Sequence, residues 1–377
     1  MITPLGLPAS RLPWFYQAAA RSWTCAPTPA DIWVFHAGLP GYAPTPLTEV
    51  PALAALLGVG QVFVKDESAR MGLAAFKVLG ASWAIHQVLA RHPADAGLLL
   101  MTASDGNHGR AVARMARLFG QRAHVFVPTG VHPVAVAAIA AEGARVTEIA
   151  GTYDDAVRRA AAAAARAASA ELVQDTAWPG YEQVPGWIVE GYSTLFAEID
   201  MQLADAGVAG PGLVVLPVGV GSLAQAAVVH YRSRAGESVP ALLSVEPESA
   251  AGVLASLAAG ELVSVPTGTT VMAGLNCGTP SMLAWPYLRE GLDAAVSVTD
   301  ADSIAAAHEL AGHRIPAGPC GAASLAGALA ALTGEGADAR RAALAIEPDT
   351  TVVLLSTEGT AANPVPGSPT VIPASCG

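Results

Sequence analysis

Short apolar runs that alternate with helical segments constrain the fold of this sequence more than any other feature. Candidate strands fall at residues 62–64, 98–101, 123–127, 145–148, 213–217, 241–245 and 351–355. Helical segments fall at about residues 76–90, 109–119, 134–142 and 154–170. Such alternation is typical of parallel sheets that helices cover on both faces. We therefore predict an α/β fold with mostly parallel sheets flanked by helices.

The composition is that of a well-packed globular protein. Hydrophobic residues make up 52% of the 377 residues and charged residues 14%, which allows a large buried core and argues against disorder. The formal net charge is −11 and no basic stripe is present, so a nucleic-acid partner is not expected. No stretch approaches the roughly 20 apolar residues of a membrane span, and the sequence does not open on a charged segment followed by an apolar run. We expect a soluble, cytoplasmic protein that does not bind membranes.

The cysteines give no sign of a metal site or a disulfide framework. Cys25, Cys277, Cys320 and Cys376 lie far apart and form no CxxC pair. This spacing favours buried or incidental thiols, and we predict no metal site.

The first segment with possible chemistry is the start of the helix at 76–90. Lys77 lies there beside the apolar Phe76, and Lys65 is the only other lysine in the chain. Partial burial would lower the pKa of Lys77 and leave more free amine, which imine formation with an aldehyde requires. On this segment alone, a surface lysine whose stem covers apolar neighbours is the alternative.

A second segment, residues 102–109, follows the strand candidate at 98–101 and reads Thr-Ala-Ser-Asp-Gly-Asn-His-Gly. Backbone N–H groups at such a turn, at the start of a helix, suit a carboxylate or a phosphate. Asp105 within it would act as an acid or a base. The alternative is an ordinary capped turn in which Asp105 and Asn107 bond to the backbone.

Two further turns follow strand candidates later in the chain. After 213–217 comes Val-Gly-Val-Gly-Ser-Leu, where glycines allow close backbone approach and the next helix favours a phosphate. The turn lacks the Lys-Ser/Thr ending of a nucleotide P-loop and the full GxGxxG fingerprint, so a small phosphate ester fits better than ATP or NAD. Ser356 and Thr357 end the last apolar run. Their hydroxyls could reach a heteroaromatic nitrogen or simply cap the turn.

Together these turns contain the groups that bind a phosphorylated pyridine aldehyde, and they indicate pyridoxal 5′-phosphate as the cofactor. The predicted contacts are Lys77 to the aldehyde beside Phe76, Asn107 to the ring hydroxyl, Gly219, Val220, Gly221, Ser222 and Leu223 to the phosphate, and Ser356 or Thr357 to the ring nitrogen.

On these residues the chain resembles the fold-type II pyridoxal-phosphate enzymes, which have the tryptophan-synthase-β-like fold, and within them the diaminopropionate ammonia-lyases. The resemblance rests on residues 65–68, 72–80, 104–109, 173–178, 219–222 and 356–359. It implies two α/β lobes with the cofactor between them, and a homodimer. The large lobe would comprise residues 1–94, including an N-terminal arm, and 201–360. Residues 95–200 would form a smaller inserted lobe, and 361–377 a C-terminal tail.

The resemblance also implies an activity, the elimination of ammonia from 2,3-diaminopropionate to give pyruvate. Lys77 and Asp105 are then candidate bases on opposite faces of the substrate, which would let both enantiomers react. Asp175 would pair with the β-amino group, although a structural role is the alternative. Ser104 and His108 are the other residues expected to contact the substrate.

Two positions depart from the lyase pattern. Thr279 and Pro319 stand where the lyases have glutamates, and each change removes a carboxylate from a loop expected near the cofactor. One alternative is therefore a β-replacement synthase, or a lyase for another β-substituted alanine. A non-catalytic binding protein is a second alternative, which the combination of Lys77, Asp105 and Asn107 argues against.

Overall fold

The structure is a computed structural model that describes residues 13–234 and 239–366. Residues 1–12 of the predicted N-terminal arm lie outside the described residues. So do Cys376 and positions 367–377 of the predicted tail.

Eleven strands lie within the described residues. They are β1 (Trp14–Tyr16), β2 (Leu47–Glu49), β3 (Gln61–Asp66), β4 (Leu99–Ala103), β5 (Arg122–Pro128), β6 (Arg145–Ile149), β7 (Ala170–Leu172), β8 (Leu213–Pro217), β9 (Ala241–Pro247), β10 (Ala294–Val298) and β11 (Thr351–Ser356). Seven of them form one sheet in the order β1-β10-β9-β8-β11-β3-β2, and four form a second sheet in the order β6-β5-β4-β7. All pairings are parallel except those of the edge strands β1 and β2.

Thirteen α-helices connect the strands in the described part of the chain. They are α1 (Ile32–Ala37), α2 (Pro51–Leu57), α3 (Val78–Leu89), α4 (Asn107–Leu118), α5 (Pro133–Ala141), α6 (Tyr153–Ala164), α7 (Gln183–Asp205), α8 (Ser222–Arg232), α9 (Gly252–Ala259), α10 (Trp285–Gly291), α11 (Asp300–Gly312), α12 (Pro319–Leu332) and α13 (Ala337–Leu344). No helix in the described ranges is long and apolar enough to cross a membrane.

The helices cover both faces of the large sheet, as the apolar runs predict. Helices α3, α7, α8 and α10 contribute to the core on one face, and α2, α11, α12 and α13 to the core on the other. Helix α4 packs on β4 and β5 of the small sheet. Helix α6 packs on the small sheet in a separate core. Strands β8, β9, β10 and β11 are buried at every position, which explains their continuous apolar character. The predicted fold class is confirmed.

The sequence prediction differs from the structure in three regions of the chain. The helix predicted over 154–170 ends at Ala164, and the strand β7 begins at Ala170. The alanine-rich sequence favours helix throughout this stretch, but pairing with β4 makes its end a strand. Strand β10 was missed because its alanines carry little β-propensity. Within the arm, β1 and β2 are three-residue edge strands without a readable period.

The small sheet spans residues 99–172, inside the predicted inserted lobe of 95–200. Helix α7 lies partly within that range, but it makes many of its contacts with α3 and α8. These two helices follow β3 and β8, which are strands of the large sheet. The lobe boundaries therefore stay a prediction.

Candidate active site

One cavity of about 680 Å³ lies where the carboxyl ends of strands from both sheets meet. Residues that follow β4, β5, β6 and β7 line it from the small sheet, and residues that follow β11 line it from the large one. Open α/β sheets place their ligands at this edge. Of the predicted site residues, the cavity is lined by Phe76, Lys77, Ser104, Asp105, Asn107, His108, Asp175 and Thr357.

Lys77 lies at the start of α3, where the chain is tied to the end of β11. The Phe76 N–H donates to the Thr357 carbonyl at 3.3 Å, and the Gly359 N–H donates to the Ala74 carbonyl at 2.9 Å. The Phe76 ring packs on Tyr192 with ring centroids 4.8 Å apart. These contacts direct the lysine into the cavity from a rigid base.

The Lys77 Nζ donates to Asp175 Oδ2 at 2.7 Å. Burial acts to lower the pKa of Lys77, but the Asp175 carboxylate outweighs it and the pKa lies above its ordinary value. The sequence-based expectation that burial alone would leave a free amine is therefore wrong, because it did not foresee the ion pair. Burial likewise acts against the charge of Asp175, but the neighbouring His108 and Lys77 together hold the pKa of that carboxyl well below its usual range.

The turn after β4 is shaped by one serine. Ser104 Oγ accepts from the Gly106 N–H at 2.9 Å and from the Gly109 N–H at 2.8 Å. Gly106 has φ +144°, and a Cβ on Gly109 would lie 2.6 Å from Val125, so both glycines are required by this backbone. Ser104 lines the cavity while also holding the turn.

Asp105 projects from that turn, and no basic side chain in the described part of the chain pairs with it. Burial, followed by repulsion from Asp175, raises its pKa to about 7, although Lys77 opposes this. A carboxyl group with such a pKa exchanges a proton readily near neutral pH, as a general acid or base must.

His108 bridges the turn and the strand β7 region. Its Nε2 lies 2.8 Å from the Val173 carbonyl, so this nitrogen carries the proton. Burial lowers the pKa of His108 and favours the neutral ring. Its Nδ1 lies 3.8 Å from Asp175 Oδ2, which is too long for a hydrogen bond.

Tyr153 and Gln174 belong to the same cluster and were missed from the sequence. The Tyr153 hydroxyl donates to Asp175 Oδ1 at 3.2 Å and accepts from Gln174 Nε2 at 2.8 Å. Tyr153 begins α6, directly after the strand β6, and lines the cavity. Its place after a parallel strand was the signal available in the sequence.

The residues predicted to contact the pyridine ring are present but bonded in an unforeseen way. Asn107 Nδ2 donates to Glu358 Oε2 at 2.5 Å, and Glu358 also lines the cavity. The Ser356 hydroxyl is buried and has no hydrogen-bond partner among the described residues. Such an unpaired group suits a ring nitrogen, but of the two predicted residues Thr357 lines the cavity and Ser356 does not.

The predicted phosphate turn does not line the cavity. The chain at 219–223 lies at the start of α8, where Gly221 has φ +98° and gives the turn its left-handed conformation. Gly219 faces the Gly274 carbonyl and Cys277, which lie 3.1 and 3.3 Å from where a Cβ would be. Ser222 Oγ donates to the Asp175 carbonyl at 2.7 Å. Gly274, which lines the cavity, thus packs between the cavity and this turn.

The two departures from the lyase pattern lie outside the cavity wall. The Thr279 hydroxyl is hydrogen-bonded to the Ser264 hydroxyl at 2.9 Å, and Pro319 is the first residue of α12, where a missing N–H has no cost.

Cys25, Cys277 and Cys320 are free thiols. Within the described ranges, no group of three or more His, Cys, Asp or Glu side chains could hold a metal ion.

Comparison with known proteins identifies relatives over most of the chain. The family model "Pyridoxal-phosphate dependent enzyme" matches residues 39–358. A diaminopropionate ammonia-lyase from Salmonella typhimurium is 38% identical over 293 residues, which is 72% of this chain and 72% of that protein. One from Escherichia coli is 36% identical over 347 residues, 86% of each.

The fold agrees as well. The crystal structure of the Escherichia coli diaminopropionate ammonia-lyase, in complex with an aminoacrylate–PLP azomethine reaction intermediate, superposes with a TM-score of 0.83 at 33% identity. The superposition covers 93% of this chain and 95% of that one.

Proposed function

The chain belongs to the family of pyridoxal-phosphate-dependent enzymes, and from that premise we propose that it eliminates ammonia from 2,3-diaminopropionate to give pyruvate. Both relatives that support the proposal are named diaminopropionate ammonia-lyases, and each matches at least 72% of the chain. The observation that carries it is the Lys77–Asp175 ion pair, which shares one cavity with Asp105.

The residues present fit the cofactor. Lys77 supplies an amine for the aldehyde and Asn107 an amide for the ring hydroxyl. The ring nitrogen would meet the Thr357 hydroxyl, which lines the cavity, or the buried, unpaired Ser356 hydroxyl. The glycine turn at 219–223 would supply backbone N–H groups at the start of α8 for the phosphate once the segment at Gly274, which separates the turn from the cavity, moves aside. When bound, pyridoxal phosphate supplies an electron-withdrawing ring that accepts the electron pair left by the departing α-proton.

Asp175 has two tasks in this proposal. It holds the Lys77 ammonium at 2.7 Å, and an incoming β-ammonium group would compete with Lys77 for the same carboxylate. Because the Asp175 pKa is so low, the carboxylate stays charged for either partner. The Tyr153 hydroxyl donates to the other carboxylate oxygen of this aspartate, Oδ1, at 3.2 Å.

Lys77 and Asp105 then serve as the two candidate bases. They come from different segments, α3 and the turn after β4. Removal of the α-proton by one or the other would allow both enantiomers of the substrate to react. His108, held neutral by burial, contacts the substrate without competing for its charge.

The test is pyruvate production by the cofactor-loaded protein from each enantiomer of 2,3-diaminopropionate. We expect rapid pyruvate formation that is lost in Lys77→Ala and falls strongly in Asp175→Asn. Asp302→Asn is the matched control, because Asp302 caps α11 at the surface and neither it nor its partner Thr299 lines the cavity. A cofactor-loaded protein that makes no pyruvate from either enantiomer would contradict the proposal.

The β-replacement alternative is separated by the same assay with an added thiol or amine nucleophile. A replacement product in place of pyruvate would favour a synthase. Pyruvate from O-substituted serines but not from diaminopropionate would favour a lyase with another substrate.

Three further predictions accompany the function. The chain forms a homodimer through its aromatic N-terminal arm; sedimentation velocity would give its mass. The lobes divide at about residues 95 and 200. The protein is cytoplasmic.

A further inference from the structure

Glu358 is a buried carboxylate in the wall of the cavity to which the reaction proposed above assigns no role. Glu358 is 2% exposed. It lies just beyond the end of β11, after Ser356 and Thr357. An acidic side chain is rarely buried without strong partners, so its contacts need an explanation.

All of the hydrogen-bond partners of Glu358 within the described residues are donors. Oε2 accepts from Asn107 Nδ2 at 2.5 Å. Oε1 accepts from Asn363 Nδ2 at 3.1 Å and from the Cys320 backbone N–H at 3.3 Å. Burial raises the pKa of Glu358 above its ordinary value, although the Cys320 thiol and the donors from Asn363 and Asn107 oppose that effect. A set of donors is what a charged carboxylate requires.

The contacts fix the position of the carboxylate. Cys320 is the second residue of α12, so the partial positive charge of that helix end faces Glu358. Asn363 is itself anchored, because its Nδ2 also donates to the Val271 carbonyl at 2.8 Å. Oε1 is therefore held on one side, and Oε2 is directed at Asn107.

An amide side chain has one donor end and one acceptor end, and a carboxylate can bond only to the donor end. Contact with Glu358 therefore fixes the orientation of the Asn107 amide, with Nδ2 toward the carboxylate and Oδ1 away from it. The remaining hydrogen of Nδ2 is then free to serve a ligand in the cavity that Asn107 lines. Without the carboxylate, the amide could turn and present its oxygen instead.

We propose that Glu358 is a positioning residue that orients the Asn107 amide, so that Asn107 donates a hydrogen bond to the ring hydroxyl of the cofactor. The inference rests on the cofactor assignment of the proposed function. It does not depend on which β-substituted amino acid is the substrate.

The test compares Glu358→Gln, Asn107→Ala and the double variant by cofactor titration. We expect Glu358→Gln to weaken pyridoxal-phosphate binding about tenfold, the size of one lost hydrogen bond to a charged group. We also expect it to change the balance between the absorption bands of the bound cofactor, which reports the ionisation of the ring hydroxyl. The double variant should bind no more weakly than Asn107→Ala, because Glu358 acts through Asn107.

Glu246→Gln is the matched control. Glu246 is also a fully buried glutamate; it lies in β9, and its carboxylate accepts the Val253 N–H at 2.8 Å and the Leu254 N–H at 2.7 Å at the start of α9. It does not line the cavity. It should lower the melting temperature and leave the cofactor spectrum unchanged. Should Glu358→Gln fold poorly, Glu358→Asp, which withdraws the charge from Asn107, makes the same test.

Two results would overturn the inference alone: a folded Glu358→Gln that binds the cofactor with unchanged affinity and spectrum, or losses that add fully in the double variant. Failure of the unmodified chain to take up pyridoxal phosphate would overturn the proposed function as well.

Discussion

At the scale of single residues, the site depends on three carboxylates that their surroundings make different. Asp175 stays charged because Lys77 lies 2.7 Å away. Asp105, in the same cavity without a cation of its own, has its pKa raised to about 7 by burial and by Asp175. Glu358 is surrounded by N–H donors. Pairs of acidic groups with such different pKa values are typical of acid–base catalysis.

The first residue-scale prediction concerns Asp105. A base must be unprotonated, so kcat/KM for the enantiomer that Asp105 serves should rise as the pH increases through about 7. Asp105→Asn should lower that rate by about a hundredfold or more, the usual contribution of a general base. The other enantiomer should keep most of its rate. Kinetics with each enantiomer between acidic and mildly basic pH measure this; equal losses for both enantiomers would contradict it.

At the scale of elements, the position of Lys77 depends on how closely α3 approaches α7. A Cβ on Gly80 would lie 2.6 Å from the Tyr192 ring, and a Cβ on Gly191 would lie 2.6 Å from the Leu79 carbonyl. Both distances are shorter than any real contact, so two glycines allow the helices to touch. Lys77 precedes the first residue of α3, and Tyr192 supports Phe76 beside it.

We predict that Gly191→Ala lowers the free energy of unfolding by about 1–3 kcal/mol, the usual cost of overpacking, and weakens cofactor binding by displacing Lys77. Gly186→Ala in the same helix is the control, since the nearest atom to its Cβ would be 3.8 Å away. That change should be neutral or stabilise by up to about 1 kcal/mol through helix propensity. Urea unfolding and cofactor titration measure both variants; similar results for the two would refute the packing explanation.

At the scale of the whole molecule, the cavity joins two sheets that do not share a strand. Asp105, Asn107 and Asp175 follow strands of the small sheet, whereas Glu358 follows a strand of the large sheet and Lys77 lies between the two. A ligand that contacts both groups stabilises the contact between the sheets as well as the site.

We therefore predict that pyridoxal phosphate raises the melting temperature. At a concentration of 100 times Kd, a ligand specific for the folded state adds about 2.7 kcal/mol. Pyridoxal without its phosphate should raise the melting temperature less, because it cannot use the turn at 219–223. Thermal unfolding with each ligand decides this. An equal shift from both would show that the turn does not bind the phosphate.

The sequence alone determined the fold class and many of the cavity-lining side chains. Parallel strands buried on both faces need continuous apolar runs, and ligand-binding turns follow those runs, so both features are readable locally. It follows that Lys77, Asp105 and Asn107 could be predicted from their own neighbours in the chain. The short strands β1, β2 and β7 could not, since three residues carry no readable period.

Only the tertiary structure decided what those side chains do to one another. Asp175 lies 98 positions from Lys77, and Glu358 lies 251 positions from Asn107. The Asp175 carboxylate holds the pKa of Lys77 above its ordinary value although burial acts to lower it. The sequence predicted a lowered pKa. Electrostatic interactions depend on distances in space and on the surrounding dielectric. Neither quantity can be calculated from the order of the residues along the chain.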